Sequence, residues 1–223
     1  MKSVLVTGGT VRLGLAIAEY LRDCGYKVIT TSSRGESAAD IVVDFRDPMG
    51  AAKCYAAALQ LLGGNPPDVI VNNAALFTGT DPDIEAVNLT APKKLTMLMA
   101  GREIAGRGCV INILDATYGA GCGVQGAECG RSAKYGECKR ELRAYTRTAA
   151  AMFSETLRVN AVSPGPIAEL APVGVHEKAE ECPLGRPKSV DIAKAVAFLI
   201  DNESVTGVDI PVDGGLSVYD IIS

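Results

Sequence analysis

Seven short runs rich in valine and isoleucine punctuate the chain: SVLVTG, KVITTS, DIVVDF, DVIVNNA, CVINILD, RVNAVSPG and GVDIPVDG. Runs of this length, closed mostly by Gly, Asn, Asp or Pro, read as strands. Between them lie segments with helical periodicity. In LGLAIAEYLRDCG, Leu13, Ile17, Ala18 and Leu21 share one face, and Gly25 follows the last turn, where a C-terminal cap belongs. Alternation of strand and helix points to a parallel sheet with helices on both faces, an α/β doubly wound fold. No linker, repeat or low-complexity stretch divides the 223 residues, so the reading is a single domain, 1–223.

The charge balance is mildly acidic, 26 Asp plus Glu against 22 Lys plus Arg, which leaves no basic stripe for nucleic acid. A small-molecule substrate is the expected partner. The N-terminus lacks the basic region, apolar stretch and cleavage site of a secretory signal, and no apolar run approaches the roughly 20 residues that cross a bilayer. The expectation is a cytoplasmic protein with no membrane contact. Seven cysteines, an odd set scattered through a chain long enough to need no staples, read as reduced thiols. Cys122, Cys129 and Cys138 share one polar stretch but lack the tight pairs of a zinc site, and His176, the single histidine, is remote, so no metal is expected.

Ligands of open parallel sheets bind beyond the carboxyl ends of the strands. After the first run comes TGGTVRLG, with Gly8, Arg12, Leu13 and Gly14 at the opening of a helix, where backbone N–H groups and the helix dipole favour a phosphate. A tight turn needing glycine for backbone reasons alone has the same appearance. The second run ends in Ser32, Ser33 and Arg34 instead of the acidic residue that binds an NAD ribose, which suits the 2′-phosphate of NADPH; a merely solvated loop is the alternative. Asp44 and Phe45 are candidates to flank an adenine, and Asn72, Asn73 and Ala74 to line the ribose and nicotinamide side.

KYGECKREL carries the chemistry. Tyr135 and Lys139 are four residues apart in a segment of good helix formers, so both side chains lie on one face. A cation beside a phenol favours its ionised form, which suits Tyr135 to give a proton to a substrate being reduced while Lys139 tunes it and holds the cofactor ribose. An exposed helix carrying the pair by chance is the alternative at this spacing.

With these motifs in this order, the sequence resembles the short-chain dehydrogenase/reductase family nearly end to end. TGGTVRLG resembles its cofactor turn, NNA its N-N-A-G element, NLTAP with Asn88 its helix asparagine and INILD the strand before its catalytic serine. YGECK resembles its catalytic pair, NAVSPGPI with Pro164 and Gly165 its nicotinamide-side loop, and VTGVDIPVDGG its last strand. The resemblance implies a seven-stranded Rossmann-like sheet, a catalytic role for Asn88 beside Tyr135 and Lys139, and a homo-tetramer.

Three departures are similar to the pteridine reductase branch. Arg12 stands at the middle glycine of the turn, Asp115 at the catalytic serine, and NNAALF puts Ala75 at a glycine and Phe77 two residues on. The branch implies that Arg12 reaches both cofactor phosphate and substrate and that Phe77 stacks on a pterin. An ionised carboxylate only accepts hydrogen bonds, so Asp115 suits a ring bearing N–H groups better than a simple ketone. The segment from Asp115 to Tyr135 is long for the family, and the loop after Pro166 is short. Three readings follow: an NADPH-dependent pterin or dihydropterin reductase, a general carbonyl reductase, and a non-catalytic dinucleotide-binding protein.

Overall fold

The structure, a computed structural model, describes residues 1–35, 38–101, 106–118, 132–170 and 182–219. Cys122, Cys129, His176 and most of the long segment between Asp115 and Tyr135 lie outside the described residues.

Strands β1 (Ser3–Val6), β2 (Lys27–Ser32), β3 (Ile41–Val42), β4 (Val69–Asn72), β5 (Gly108–Ile113), β6 (Leu157–Pro164) and β7 (Asp209–Val212) form one sheet in the order β3-β2-β1-β4-β5-β6-β7. Every pairing is parallel. The chain begins at the centre, runs outward to β3 and returns to β4, so consecutive crossovers diverge on either side of β1. That reversal opens a crevice at the carboxyl ends of β1 and β4.

Helices α1 (Arg12–Asp23) and α6 (Ser189–Asp201) cover one face. There Ile17, Leu21, Ile192, Val196 and Leu199 pack on Val4, Val6, Val71, Ile111 and Val162. Helices α2 (Gly50–Leu61), α4 (Ala91–Ala100) and α5 (Ala133–Met152) cover the other, with Cys54, Tyr55, Leu95, Met99 and Ala149 on Leu5, Ile29, Ile70, Val110 and Val159. Side chains of a strand alternate between faces, and both faces are buried, which is why these strands read as continuous apolar runs. The short α3 (Asp81–Glu85) precedes α4 through a π-helical turn, Ala86–Thr90, and α7 (Leu216–Tyr219) follows β7.

Gly25 ends α1 as its position implies. At φ 87° its N–H meets the Arg22 carbonyl and the N–H of Tyr26 meets that of Leu21, the two bonds of a Schellman motif. DIVVDF, by contrast, yields only two strand residues. Asp40 turns its carboxylate onto the N–H and hydroxyl of Thr30, and one further bond, from Val43 N–H to the Ser32 carbonyl, extends the edge.

Two polar groups sit deep in the layers. Asn72 Nδ2 donates to Asn112 Oδ1 at 2.8 Å, Asn112 Nδ2 to Thr146 Oγ1 at 3.0 Å, and Thr146 in turn to the Leu142 carbonyl, tying β4 and β5 to α5. Arg158, only 4% exposed, donates to the carbonyls of Leu199, Ile200 and Val205. These include the orphan acceptors at the end of α6, where a cation also meets the negative end of the helix dipole.

Candidate active site

The turn after β1 is built around two glycines. Gly8 lies at φ 64°, and its N–H donates to Thr31 Oγ1. A Cβ on Gly14 would sit 2.1 Å from the Gly8 carbonyl oxygen and 2.4 Å from Asn73 Nδ2, so only glycine permits the turn to close onto α1. Thr7 Oγ1 accepts the N–H groups of Asn73 and Ala74, both at 3.0 Å, and Asn73 Nδ2 donates to the carbonyls of Thr7 (3.0 Å) and Gly8 (3.2 Å). The Asn73 amide is therefore a clamp on the turn, and its donors are spent there. No side chain caps α1, which leaves its first N–H groups facing the crevice. This cradle fits a dinucleotide pyrophosphate.

Arg12 opens α1 at φ 53°, a left-handed conformation that glycine adopts freely and arginine does not. Its exposed guanidinium donates to the Leu170 carbonyl at 3.2 Å, reaching from the phosphate turn to the helical turn Ala168–Leu170. Leu13 is half-buried against the core.

At the far end of the crevice, Ser32 is buried and its Oγ accepts the Arg34 N–H, while Ser33 and Arg34 are exposed. The Asp44 carboxylate is gripped by Arg46, through Nε at 2.9 Å and Nη2 at 2.6 Å, and these bonds hold its acid below the usual carboxylate range. Phe45 corrects the sequence expectation. Its ring is 8% exposed and packs in the core with Ala51 and Tyr55, leaving only its backbone to meet an adenine.

The chemistry gathers beyond β5. Ser132 caps α5 through Lys134 N–H, which sets Tyr135 in the first turn and Lys139 one turn on. Tyr135 is 3% exposed, and its hydroxyl donates to Asp115 Oδ2 at 3.1 Å. The other Asp115 oxygen accepts from Thr117, through N–H at 3.0 Å and Oγ1 at 2.5 Å. Lys139 donates to the Ile113 carbonyl at 2.8 Å, with its ammonium 5.4 Å from the centre of the Tyr135 ring. Tyr118 meets that ring edge-on at 5.7 Å and Phe77 tilts over it at 5.1 Å. Gly136 makes the approach possible, since a Cβ there would lie 2.5 Å from the Tyr118 ring. Phe77 is 37% exposed, so it presents a face outward and is not core packing.

Asn88 is fully buried in the π-helical turn. Its Nδ2 donates to the carbonyls of Leu76 and Ile84, both at 2.8 Å, and its Oδ1 accepts the Leu76 N–H. The two bonds to Leu76 brace the loop that carries Phe77 and the third ties the turn to α3, so the Asn88 amide is spent on positioning that loop. Across the crevice, Pro164 ends β6, and Gly165 lies so near Asp213 that a Cβ would come within 2.7 Å of its Cα. Sequence reasoning passed over Thr117 and Arg143. Arg143, which bonds the Asp115 and Tyr118 carbonyls, continues the i, i+4 spacing of Tyr135 and Lys139 by another four residues, a signal that was there to be read.

The family described as enoyl-(acyl carrier protein) reductase matches residues 12–217. The 2,5-dichloro-2,5-cyclohexadiene-1,4-diol dehydrogenase LinX of Sphingobium indicum is 28% identical over 97% of this chain and 96% of its own. The 3-oxoacyl-[acyl-carrier-protein] reductase FabG of Pseudomonas aeruginosa is 30% identical over 96% of this chain and 97% of its own. Among solved structures, a blue fluorescent protein from a metagenomic library, in complex with NADPH, superposes with a TM-score of 0.81 at 26% identity, covering 97% of this chain and 98% of that one. The seven-stranded parallel sheet, the glycine cradle and the Tyr135–Lys139 pair thus have one explanation: the chain belongs to the short-chain dehydrogenase/reductase family and is an NAD(P)-dependent oxidoreductase.

Proposed function

We propose that the chain is an NADPH-dependent reductase of a pterin or dihydropterin-type ring, acting on a C=N bond. One observation carries the reading: a buried carboxylate, Asp115, faces the Tyr135 hydroxyl beneath the outward face of Phe77. A carboxylate so placed accepts hydrogen bonds from ring N–H or amino groups, whereas a simple ketone offers it no proton. Phe77 supplies a surface for a flat ring. Arg12 brings a planar donor fork to the mouth between cofactor and substrate.

NADPH, when bound, supplies the hydride; the residues of this chain handle the proton. Gly8, Arg12, Leu13 and Gly14 would hold its pyrophosphate, Ser32, Ser33 and Arg34 its 2′-phosphate, the backbone of Asp44, Phe45 and Ala74 its adenosine side, and Pro164 and Gly165 its nicotinamide side. Tyr135 gives its proton to the ring nitrogen as the adjacent carbon is reduced. The Lys139 ammonium favours the resulting phenolate, and Asp115 orients the ring by accepting from its N–H groups. Sheet strands drawn from Ser3 to Val212 support one domain spanning 1–223, and family likeness supports a cytoplasmic homo-tetramer.

The FabG likeness favours a second reading, reduction of a 3-oxoacyl or other carbonyl group. The test follows NADPH and NADH oxidation with dihydropterin, dihydrofolate, a 3-oxoacyl thioester and simple ketones. Expected are turnover on pterins, preference for NADPH, and loss of about 10²–10⁴-fold in Tyr135→Phe. Turnover confined to carbonyl substrates, retained or raised in Asp115→Ser, overturns the pterin assignment in favour of the second reading.

A further inference from the structure

Arg143 lies about two turns beyond Tyr135 on α5. Its guanidinium reaches three separate elements. Nε donates to Asp209 Oδ2 on β7 at 2.7 Å, Nη1 to the Tyr118 carbonyl at 2.8 Å, and Nη2 to the Asp115 carbonyl at 3.3 Å and Ser163 Oγ at 3.0 Å. Ser163 donates on to Asp209 Oδ1 at 2.7 Å, so both oxygens of that carboxylate are engaged. The ion pair is largely buried, with side-chain exposures of 21% and 23%.

The acceptors are informative. An ion pair serving the fold alone needs only Asp209. The rest belong to the two segments that wall the reacting centre: the turn bearing Asp115 and Tyr118, whose ring abuts Tyr135, and Ser163, which immediately precedes Pro164 and Gly165. A planar fork with donors on three nitrogens spans such a set; a lysine ammonium, a point charge on a flexible stem, does not.

We propose that Arg143 is a positioning residue for the reduction. It fixes the turn at Asp115 against the end of β6, so that the carboxylate meets the Tyr135 hydroxyl at the correct height, without itself touching substrate. The inference rests on the reading of Tyr135 as the proton donor with Asp115 held against its hydroxyl, and it holds for any substrate reduced there. A cleft of about 300 Å³, lined by Arg143, Thr146, Arg147, Ser163, Asp209 and Ser217 among others, lies against the guanidinium.

The test compares Arg143→Lys and Arg143→Ala, using the substrate that the wild type turns over. Displacement of a catalytic group by about 1 Å costs up to about 10²-fold, so kcat falls by about tenfold or more in both variants. The Kd for NADPH, read by fluorescence titration, changes less than about twofold, because the phosphate cradle is untouched. Methylguanidinium restores part of the Arg143→Ala rate, and methylammonium does not. Thermal melting of Arg143→Lys, which keeps the charge beside Asp209, separates lost positioning from lost fold. If Arg143→Ala does not fold, Ser163→Ala joins Arg143→Lys in its place, with the same fall in kcat at unchanged NADPH affinity. Wild-type kcat in Arg143→Lys, or loss of rate matched by the fraction unfolded with no rescue, overturns the proposal. Tyr135→Phe runs alongside: if it loses turnover while the Arg143 variants keep theirs, only the role of Arg143 fails; if it keeps turnover, the reading of the site fails and this one with it.

Discussion

Replacing Arg12 separates the backbone of the phosphate turn from its side chain. At φ 53° it is the non-glycine residue in the left-handed region among the described residues. That conformation costs a residue with a Cβ roughly 1–2 kcal/mol. Glycine is free of this cost but loses about 0.5–1 kcal/mol more backbone entropy on folding. Arg12→Gly and Arg12→Ala both remove the bond to the Leu170 carbonyl, so that loss cancels between them. The glycine variant is therefore expected to be the more stable by about 1 kcal/mol, which is about 2–4 °C in Tm for a chain of this size. This reverses the ordinary helical ranking, where alanine exceeds glycine by about 1 kcal/mol. Urea denaturation of the two variants, with equal m-values as a check, measures the difference. An alanine variant as stable as the glycine variant refutes the strained backbone. Under the proposed function, both variants also bind cofactor or substrate more weakly than the wild type, since both lack the guanidinium.

Three further outcomes follow from the geometry. Gly14→Ala drives a Cβ to 2.1 Å from the Gly8 carbonyl; opening the turn breaks the Asn73 clamp, costs about 3 kcal/mol in denaturant titration, and abolishes detectable NADPH binding. Arg158→Met leaves buried carbonyls at the end of α6 without their donor and lowers stability by about 3 kcal/mol, measured by the same titration. Burial pushes the Cys54 thiol up to about 12 and the Cys109 thiol up to about 11, against an ordinary 9.0. Above that ordinary value the unfolded chain releases protons that the native chain keeps, so their contribution to stability is full below it and is lost as pH rises towards 11 and 12. The urea midpoint accordingly falls between neutral and alkaline pH, and falls less in a Cys54→Ala, Cys109→Ala double variant.

The sheet was legible because its signals are local. Each strand is a run of β-branched residues with a turn former at its end, and Gly25 announces its own αL conformation. β3 was over-read because DIVVDF carries the composition of a strand, while the capture of Thr30 by Asp40 is a tertiary event with no local signature. In the candidate site, the juxtaposition of Tyr135, Lys139 and Asp115 was readable from spacing and order. Asn73, Asn88 and Phe45 were not, because an asparagine beside a cofactor and an asparagine bracing a loop look alike in sequence. The decision lies in which carbonyl its amide finds, and for Phe45 in which way its ring turns from an edge strand. Arg143 continued a legible i, i+4 spacing, but its partners Asp209, Ser163 and the Asp115 and Tyr118 carbonyls come from distant segments, and Thr117 is marked only by its nearness to Asp115, so neither role was legible before the fold.

The amides of Asn72 and Asn112 have a consequence for assembly of the crevice. Sliding β4 along β5 by one residue would swing either amide to the face occupied by Val71 and Ile111, and sliding by two would set it beside an apolar side chain. Only one offset lets both buried amides find each other. The pair is an index mark, a polar key that a hydrophobic interior accepts in a single position. Asn73, which clamps the phosphate turn, follows one rung directly, and Asp115 stands three residues past the other. The same mark that aligns two strands thereby fixes the height of the glycine turn relative to Asp115 and Tyr135, before any ligand arrives.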